Sequence, residues 1–141
     1  MTFFVIVGNY AAIKIKETLK MDIITAEEKI AAWVEETVDM PGKVFRTTLP
    51  RGMREGFEVT LVSGVPSGLN RVNEFTIQVK GISPDRLELW RAFDRIFAAL
   101  PIEKYDSFLY IDLRGEVDFS TVEKEGLQVS CGIVKLAASF V

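Results

Sequence analysis

The fold is decided by residues 74–100, whose sequence is EFTIQVKGISPDRLELWRAFDRIFAAL. In its first part Phe75, Ile77 and Val79 alternate with polar residues. Such a period of two is typical of a strand that has one face on a core and the other face in water. The sequence therefore predicts a half-buried strand that ends at Gly81.

An amphipathic helix is predicted directly after this strand. Ser83 stands where an N-cap belongs, Pro84 where the first helical residue belongs, and Asp85 in the first turn. At 100° per residue, the large apolar side chains fall within about a third of the helix circumference. They are Leu89, Trp90, Phe93, Ile96, Phe97 and Leu100. We expect this stripe, with Trp90 and Phe93 in the core, to cover the strand pair.

A second helix is predicted near the start of the chain. Residues 25–28, Thr-Ala-Glu-Glu, form a capping box, and Met40-Pro41-Gly42 ends the helix. Its apolar positions recur at helical spacing, and its acidic residues are expected on the solvated side. The apolar positions are Ile30, Trp33, Val34 and Val38, and the acidic ones are Glu27, Glu28, Glu35 and Glu36.

The remaining segments read as strands and connections. Apolar or alternating runs predict strands at residues 44–49, 57–61, 108–113, 127–131 and 133–141. Residues 63–73 form a long connection, and loops of this length often carry function. Residues 115–126 form a charged connection, and Gly132 is expected to mark a bulge.

These elements predict an α+β fold, in which a mixed, mostly antiparallel β-sheet is packed on one face by two main α-helices. The 141 residues suit a single domain. Residues 1–20 are interpreted as an N-terminal arm or strand, and residues 21–141 as the α+β domain. Whether translation starts at Met1 or at Met21 stays open.

The composition argues against several classes of function. The net charge is −3, which disfavours nucleic-acid binding as the main role. The chain has no histidine, the commonest general base and metal ligand. The apolar run 1–7 is too short to span a membrane.

The candidates for chemistry are weak. Cys131 has no histidine to activate it, and we interpret it as a buried structural thiol. Asp112, Glu116 and Asp118 lack the glycine-turn pattern of a calcium loop and are read as a solvated turn. Residues 64–68, Gly-Val-Pro-Ser-Gly, lack the Gly-Lys-Ser/Thr ending of a phosphate loop. We therefore expect no catalytic residue, no metal and no cofactor.

Arginines gather in the first half of the chain, at positions 46, 51, 54 and 71. They could face nucleic acid, but we favour the rim of a protein interface, where arginine is enriched. Arg51 and Arg54 are expected at one end of the strand 57–61 and the long connection at the other. We expect both arginines to bind acidic groups on the helix of a neighbouring subunit. The predicted interface comprises Arg51, Arg54, Pro66, Leu69, Arg71, Glu28 and Glu35.

The order of elements resembles that of the tail terminator and minor capsid proteins of long-tailed bacteriophages. The most suggestive piece is the strand of residues 74–80, its basic residue Lys80, then Gly81 and the helix that runs to Leu100. The similarity covers about residues 25–140. It is one of pattern, and no functional residue is transferred by it. The N-terminal arm departs from the family pattern.

This resemblance implies a structural protein without catalysis. Members form rings, typically hexameric, that cap the tail tube and offer a face to the head. The implied partners are copies of the chain itself, the tail tube and head-completion proteins, with no membrane and no sequence-specific nucleic acid. The implied location is the virion, and the host cytoplasm during assembly. Two alternatives stay open: a small-molecule-binding or enzymatic α+β domain, and an adaptor that pairs through an exposed strand.

Overall fold

The computed structural model describes residues 23–46, 48–65, 73–103 and 110–140. These residues form an α+β fold in one domain, as predicted. In chain order the elements are α1 (Ile23–Val38), β1 (Val44–Phe45), β2 (Gly56–Val65), β3 (Asn73–Ser83), α2 (Arg86–Ala99), β4 (Ile102–Glu103), β5 (Tyr110–Leu113), β6 (Asp118–Lys124) and β7 (Leu127–Phe140).

The strands form one mixed sheet in the order β1-β2-β3-β7-β5-β4. Every neighbouring pair is antiparallel except β1 with β2. The 14-residue β7 lies at the centre, with β3 along one side. Its other side pairs with β5 over Leu136–Ser139 and with β6 over Leu127–Ile133. The two short strands therefore follow one another along the same side of β7.

Both helices pack on one face of the sheet. That face carries the alternating apolar side chains predicted for β2 and β3, together with the even-numbered residues of β7. The large core side chains on it include Phe57, Ile77, Val79, Val134 and Leu136, all at most 1% exposed. A smaller cluster lies on the opposite face and consists of Leu49, Ile82, Val129 and Cys131.

The segment predicted as a charged connection, residues 115–126, contains strand β6, so that prediction was wrong. Glu125 and Gly126 form the two-residue turn between β6 and β7, with φ of 54° and 79°. Positive φ at both positions is the mark of a type I′ hairpin turn, whose twist matches that of the flanking strands. Asp118, Glu123 and Lys124 are therefore carried by a strand, whereas Glu116 and Glu125 lie before it and in the turn after it.

The junction between β3 and α2 also differs from the prediction. Strand β3 continues through Gly81 to Ser83, and the N-cap is Asp85. The Asp85 carboxylate accepts hydrogen bonds from the backbone N–H groups of Leu87 and Glu88, at 3.0 and 3.3 Å. Ser83 lies one step earlier, where its hydroxyl accepts the N–H of Asp85 at 3.0 Å. Ser83 therefore supports the cap residue instead of capping the helix itself.

Helix α1 and the strands after it have other bounds than those predicted. The helix already includes Ile23 and Ile24, so Thr25 is an internal residue and not an N-cap. Strand β1 ends at Phe45, and β2 extends to Val65 into the predicted long connection. The final strand is continuous through Gly132, which pairs regularly with Gly81, so no bulge occurs there.

The apolar stripe of α2 is only partly buried. Phe93 is 1% exposed and lies in the core, as predicted. Its ring meets that of Phe57 edge to face, at a centroid distance of 5.6 Å. Trp90 is 39% exposed, so the prediction that it is a core residue was wrong. It lies over the margin of the sheet at β6, where no further strand of the described residues extends the surface beneath it.

Candidate functional site

One side of β6 is an unpaired strand edge among the described residues. Lys124 and Leu127 flank the two-residue turn, and such a pair exchanges both of its backbone hydrogen bonds. Hydrogen-bonded pairs then recur at every second residue. The residues between them, Phe119, Thr121 and Glu123, direct N–H and C=O groups away from β7. We call this side of Asp118–Lys124 the open edge.

The edge of β2 at the other side of the sheet is treated differently. The Phe57 N–H donates to the Lys43 carbonyl at 2.8 Å, and Phe45 of β1 pairs with Glu58, the next residue of β2. Further along, the Leu61 N–H donates to the Glu27 carboxylate of α1 at 2.9 Å. The same carboxylate lies 3.1 Å from the Arg46 guanidinium, and its side chain is only 17% exposed. The chain therefore covers this edge with its own groups between Phe57 and Leu61.

An exposed aromatic patch lies beside the open edge, on the helix face of the sheet. It consists of Trp90 and Phe119, whose rings meet edge to face at 5.9 Å, and of Arg86. The Arg86 guanidinium lies 4.8 Å from the centroid of the Trp90 ring, within cation–π range. Trp90 is 39% and Phe119 48% exposed. The patch thus presents one cation and two aromatic rings next to backbone groups that no described residue pairs.

Gly132 positions Phe119 in this patch. The two residues are paired across β6 and β7, so they share a face of the sheet. The Phe119 ring packs over the glycine and meets Phe93 edge to face at 5.8 Å. A Cβ on Gly132 would lie 2.6 Å from Phe93 Cε2 and 3.1 Å from Phe119 Cε1. The absent side chain therefore lets the patch rest directly on the core.

A shallow groove of about 190 Å³ runs between α2 and the open edge. It is bordered by Trp90 and Phe119 on the aromatic side and by Thr121 and Ser130 on the strand side. Side chains of this kind combine apolar area with hydroxyl donors and acceptors. The groove can hold side chains of a strand that pairs with β6.

The predicted interface residues are dispersed. Arg51 and Arg54 are exposed in the turn before β2, and no described residue bonds to either side chain. Glu28 lies 3.8 Å from Arg46, and Glu35 accepts the Gly42 N–H at 2.7 Å. Both carboxylates thus have partners within the chain, although Glu28 remains 56% exposed. Pro66, Leu69 and Arg71 lie outside the described residues.

The acidic residues of α1 do not form the uniformly solvated side that the sequence suggested. Glu27 turns toward the edge of β2 and is bound there to the Leu61 N–H and Arg46. Glu28 and Glu36 are exposed, whereas Glu35 is only partly exposed and is bound to the Gly42 N–H. The predicted pairing of this face with Arg51 and Arg54 of another subunit stays a prediction.

A polar cleft of about 350 Å³ lies between the end of α1, the start of α2 and the sheet. Lys43 and Glu55 form an ion pair of 2.6 Å at its margin, and the Ser83 hydroxyl donates to Glu55 at 3.1 Å. Arg95 donates to the Val38 carbonyl at the end of α1, at 3.0 Å. These bonds join the helix ends to the sheet, and the cleft is better explained as a structural junction than as a ligand site.

The other groups weighed in the sequence show no catalytic arrangement in the part of the chain that the structure describes. Cys131 is 2% exposed, and burial raises the pKa of its thiol. Asp112 accepts a hydrogen bond from the Tyr110 hydroxyl at 2.7 Å, and this bond raises the tyrosine pKa. No cluster of three metal-ligating side chains occurs among the described residues. Neither described helix is long and apolar enough to cross a membrane.

Sequence reasoning missed the open edge. Residues 118–124 have polar side chains on both faces, so the alternation that identifies a half-buried strand is weak there. A usable signal was present in Glu125-Gly126, a turn dipeptide that lies between Val122 and the alternating run Leu127, Val129 and Cys131.

The chain was also compared with known proteins. No family model matches the chain, and no curated protein matches it.

Proposed function

We propose that this chain is a non-catalytic structural subunit that assembles with other protein chains through the open edge of β6. By the resemblance of its element order, the assembly is a phage or prophage tail, in which the subunit caps the tail tube and joins it to the head. The observation that carries the proposal is the open edge, which borders the aromatic patch. The implied location is the virion, and the host cytoplasm before assembly.

The contrast between the two sides of the sheet supports this proposal. An unpaired strand edge promotes uncontrolled pairing with other chains, and folded proteins usually cover it. Here Glu27 and Lys43 bind the Leu61 and Phe57 N–H groups of the β2 edge, whereas no described residue binds the outward N–H groups of β6. A seven-residue strand edge that no described residue covers is best explained by pairing with another protein chain. Strand addition supplies main-chain hydrogen bonds for affinity and side-chain pockets for specificity.

The aromatic patch supports the same conclusion. Tryptophan and arginine are the residue types most enriched at the energetic centres of protein interfaces. Trp90 and Phe119 bring large rigid surfaces, and Arg86 is held over the Trp90 ring. A partner strand on β6 would cover this patch and remove its apolar area from water.

The turn that carries Arg51 and Arg54 is proposed as a second contact. It lies at the start of β2, far along the sheet from the open edge, and both side chains are exposed. A ring subunit needs contacts in more than one direction, around the ring axis and along it. These arginines can bind acidic groups of a neighbouring copy or of the tail tube.

The proposal is tested with Thr121→Pro. Proline at Thr121 removes an outward-directed N–H and leaves the hydrogen bonds between β6 and β7 in place. In the phage or prophage that encodes the chain, deletion of its gene should leave tails unfinished, and the wild-type gene should restore them. Thr121→Pro should fold with a circular dichroism spectrum like that of the wild type but should not restore tails. Complete tails in the deletion strain would refute the phage role.

A matched experiment tests the second contact. Reversal of Arg51 and Arg54 to glutamate should leave the circular dichroism spectrum unchanged and reduce assembly or tail completion. Arg91→Glu is the control, because Arg91 is exposed on α2 and pairs only with Glu88 of its own helix among the described residues. Normal assembly of the double reversal would show that Arg51 and Arg54 are not part of the interface.

A further inference from the structure

We infer that, in the free protein, the open edge of β6 pairs with the same edge of a second copy, antiparallel and centred on Thr121. The inference rests on the proposed function in one respect only: the edge that self-pairs is the one proposed for assembly. It adds the identity of the partner and the register of the pairing.

The backbone of β6 fits this register. Phe119, Thr121 and Glu123 direct their N–H and C=O groups outward, and Thr121 lies at the middle of the three. In an antiparallel pair of identical strands centred on Thr121, each outward-directed residue faces another outward-directed residue. Thr121 faces its own counterpart, and Phe119 faces Glu123 of the other copy. All six backbone bonds of such an arrangement can therefore form.

The charges of β6 fit the same register. Pairing centred on Thr121 places Asp118 of each copy directly opposite Lys124 of the other. Both residues project on the face of the sheet away from the helices, because Asp118 pairs with Ile133 and Lys124 with Leu127 of β7. Opposite charges that face each other across strands stabilise a pair, and like charges destabilise it. The two-fold symmetry produces this contact twice.

Neither Asp118 nor Lys124 forms a close ion pair with another described residue. The contact of Lys124 with a described residue is a 3.8 Å approach to its neighbour Glu125. Asp118 is exposed at the start of β6 and forms no ion pair with a described residue. As far as the described residues are concerned, both side chains are thus available to the second copy. The short side chains of Ser120 and Val122, which face each other between the charged pairs, offer no steric obstacle.

This pairing belongs to the free protein rather than to the finished assembly. A two-fold dimer presents the same surface in both directions. A cap between a tube and a head must present two different surfaces. The two copies must therefore separate before either one joins a tail, and until then the pairing protects an edge that would otherwise aggregate.

Sedimentation equilibrium of the full chain at low ionic strength tests the inference. The wild type should form a dimer whose dissociation constant is measurable. Asp118→Lys alone and Lys124→Asp alone should each raise that constant about tenfold or more, because each creates two like-charge contacts. The double variant Asp118→Lys/Lys124→Asp restores opposite charges in the proposed register. It should return the constant to within about threefold of the wild-type value.

Lys135→Asp is the matched control. It makes the same change of charge on β7, at an exposed position on the same face of the sheet. It should leave the dissociation constant within about threefold of the wild-type value, since it lies outside the proposed contact.

Three outcomes would overturn the inference. A wild-type chain that is monomeric at all concentrations would show that the edge does not pair with a second copy. Rapid exchange of the β6 amides in that monomer would mean that the edge is unpaired, and slow exchange would mean that another part of the same chain covers it. A dimer insensitive to both single variants would place the contact elsewhere. Weakened single variants without recovery in the double variant would refute the register. The second and third outcomes leave the proposed function standing, because the edge stays free to bind other protein chains. The first outcome leaves it standing only when the β6 amides exchange rapidly, since protected amides in a monomer would refute both. The tail assay with Thr121→Pro tests the proposed function separately.

Discussion

Gly81 and Gly132 lie directly opposite each other on β3 and β7, on the sheet face that the helices cover. A Cβ on Gly81 would lie 2.5 Å from Phe57 Cε2, and one on Gly132 would lie 2.6 Å from Phe93 Cε2. The paired glycines thus form a flat area on which aromatic rings rest without intervening side chains. This area allows α2 to approach the sheet and links the core to the aromatic patch.

Gly132→Ala should destabilise the protein by about 1–3 kcal/mol, because the added methyl group forces Phe93 or Phe119 to move. The free energy of unfolding from urea denaturation measures the loss. Lys135→Ala is the control, since Lys135 is exposed on the same strand and the change should stay within about 0.5 kcal/mol. An unchanged unfolding free energy in Gly132→Ala would mean that the rings do not rest on the glycine pair.

Phe93→Ala should cost about 3–5 kcal/mol, because it leaves a cavity where the rings of Phe57 and Phe119 meet that of Phe93. Trp90→Ala should cost no more than about 2 kcal/mol, since a large part of this side chain is already in water. Urea denaturation of the two variants compares them directly. A loss for Trp90→Ala as large as that for Phe93→Ala would contradict the exposed position of Trp90.

Glu27→Ala should destabilise the protein by about 1–3 kcal/mol, because it leaves the Leu61 N–H at the β2 edge without its acceptor. Glu28→Ala is the matched control. It removes a carboxylate from the next position of α1, but that carboxylate is more than half exposed and 3.8 Å from Arg46. Its cost should stay within about 0.5 kcal/mol. Equal losses in thermal or urea denaturation would show that Glu27 does not close the edge.

Cys131 should react slowly with thiol reagents in the folded protein. Burial raises the pKa of this thiol, so less of it is thiolate at a given pH than in an unfolded chain. The neutral thiol therefore favours the folded state below the ordinary thiol pKa, and this contribution is lost as the pH rises through the raised value. Alkylation at pH 8 should accelerate strongly in denaturant. Fast alkylation of the native protein would contradict the buried position.

Cys131→Ala tests whether the thiol has a chemical role. The variant should lose a modest amount of stability through poorer packing beside Ile82 and Val129, and assembly should remain intact. Loss of assembly in a variant that still folds normally would show that the thiol takes part in function.

The sequence predicted the elements whose side chains differ most between their two faces. Strand β3 and helix α2 were found because Phe75, Ile77 and Phe93 recur with the period of their element. The N-cap of α2 was predicted at Ser83 and lies at Asp85. Both residue types are good N-caps, and only tertiary contacts decide between them. Trp90 was wrongly predicted as a core residue because the helical period shows which side chains point toward the sheet but does not show where the sheet ends.

The candidate site was predicted less well for a related reason. An open edge is a property of the sheet, and it depends on which strands have neighbours. Neither the composition of β6 nor the exposed Phe119 identifies an edge until the pairing of β6 with β7 is known. The exposure of Arg51 and Arg54 could be expected from sequence, because charged side chains in a predicted turn usually face water, but their role in an interface stays a prediction.

In the proposed assembly, the open edge of β6 is paired with another protein chain. Hydrogen exchange at the amides of Phe119, Thr121 and Glu123 tests this pairing most directly, because these are the N–H groups directed away from β7. The three amides should exchange slowly at concentrations where the protein is assembled and rapidly when dilution makes it monomeric. Rapid exchange of all three in the fully assembled protein would contradict this pairing.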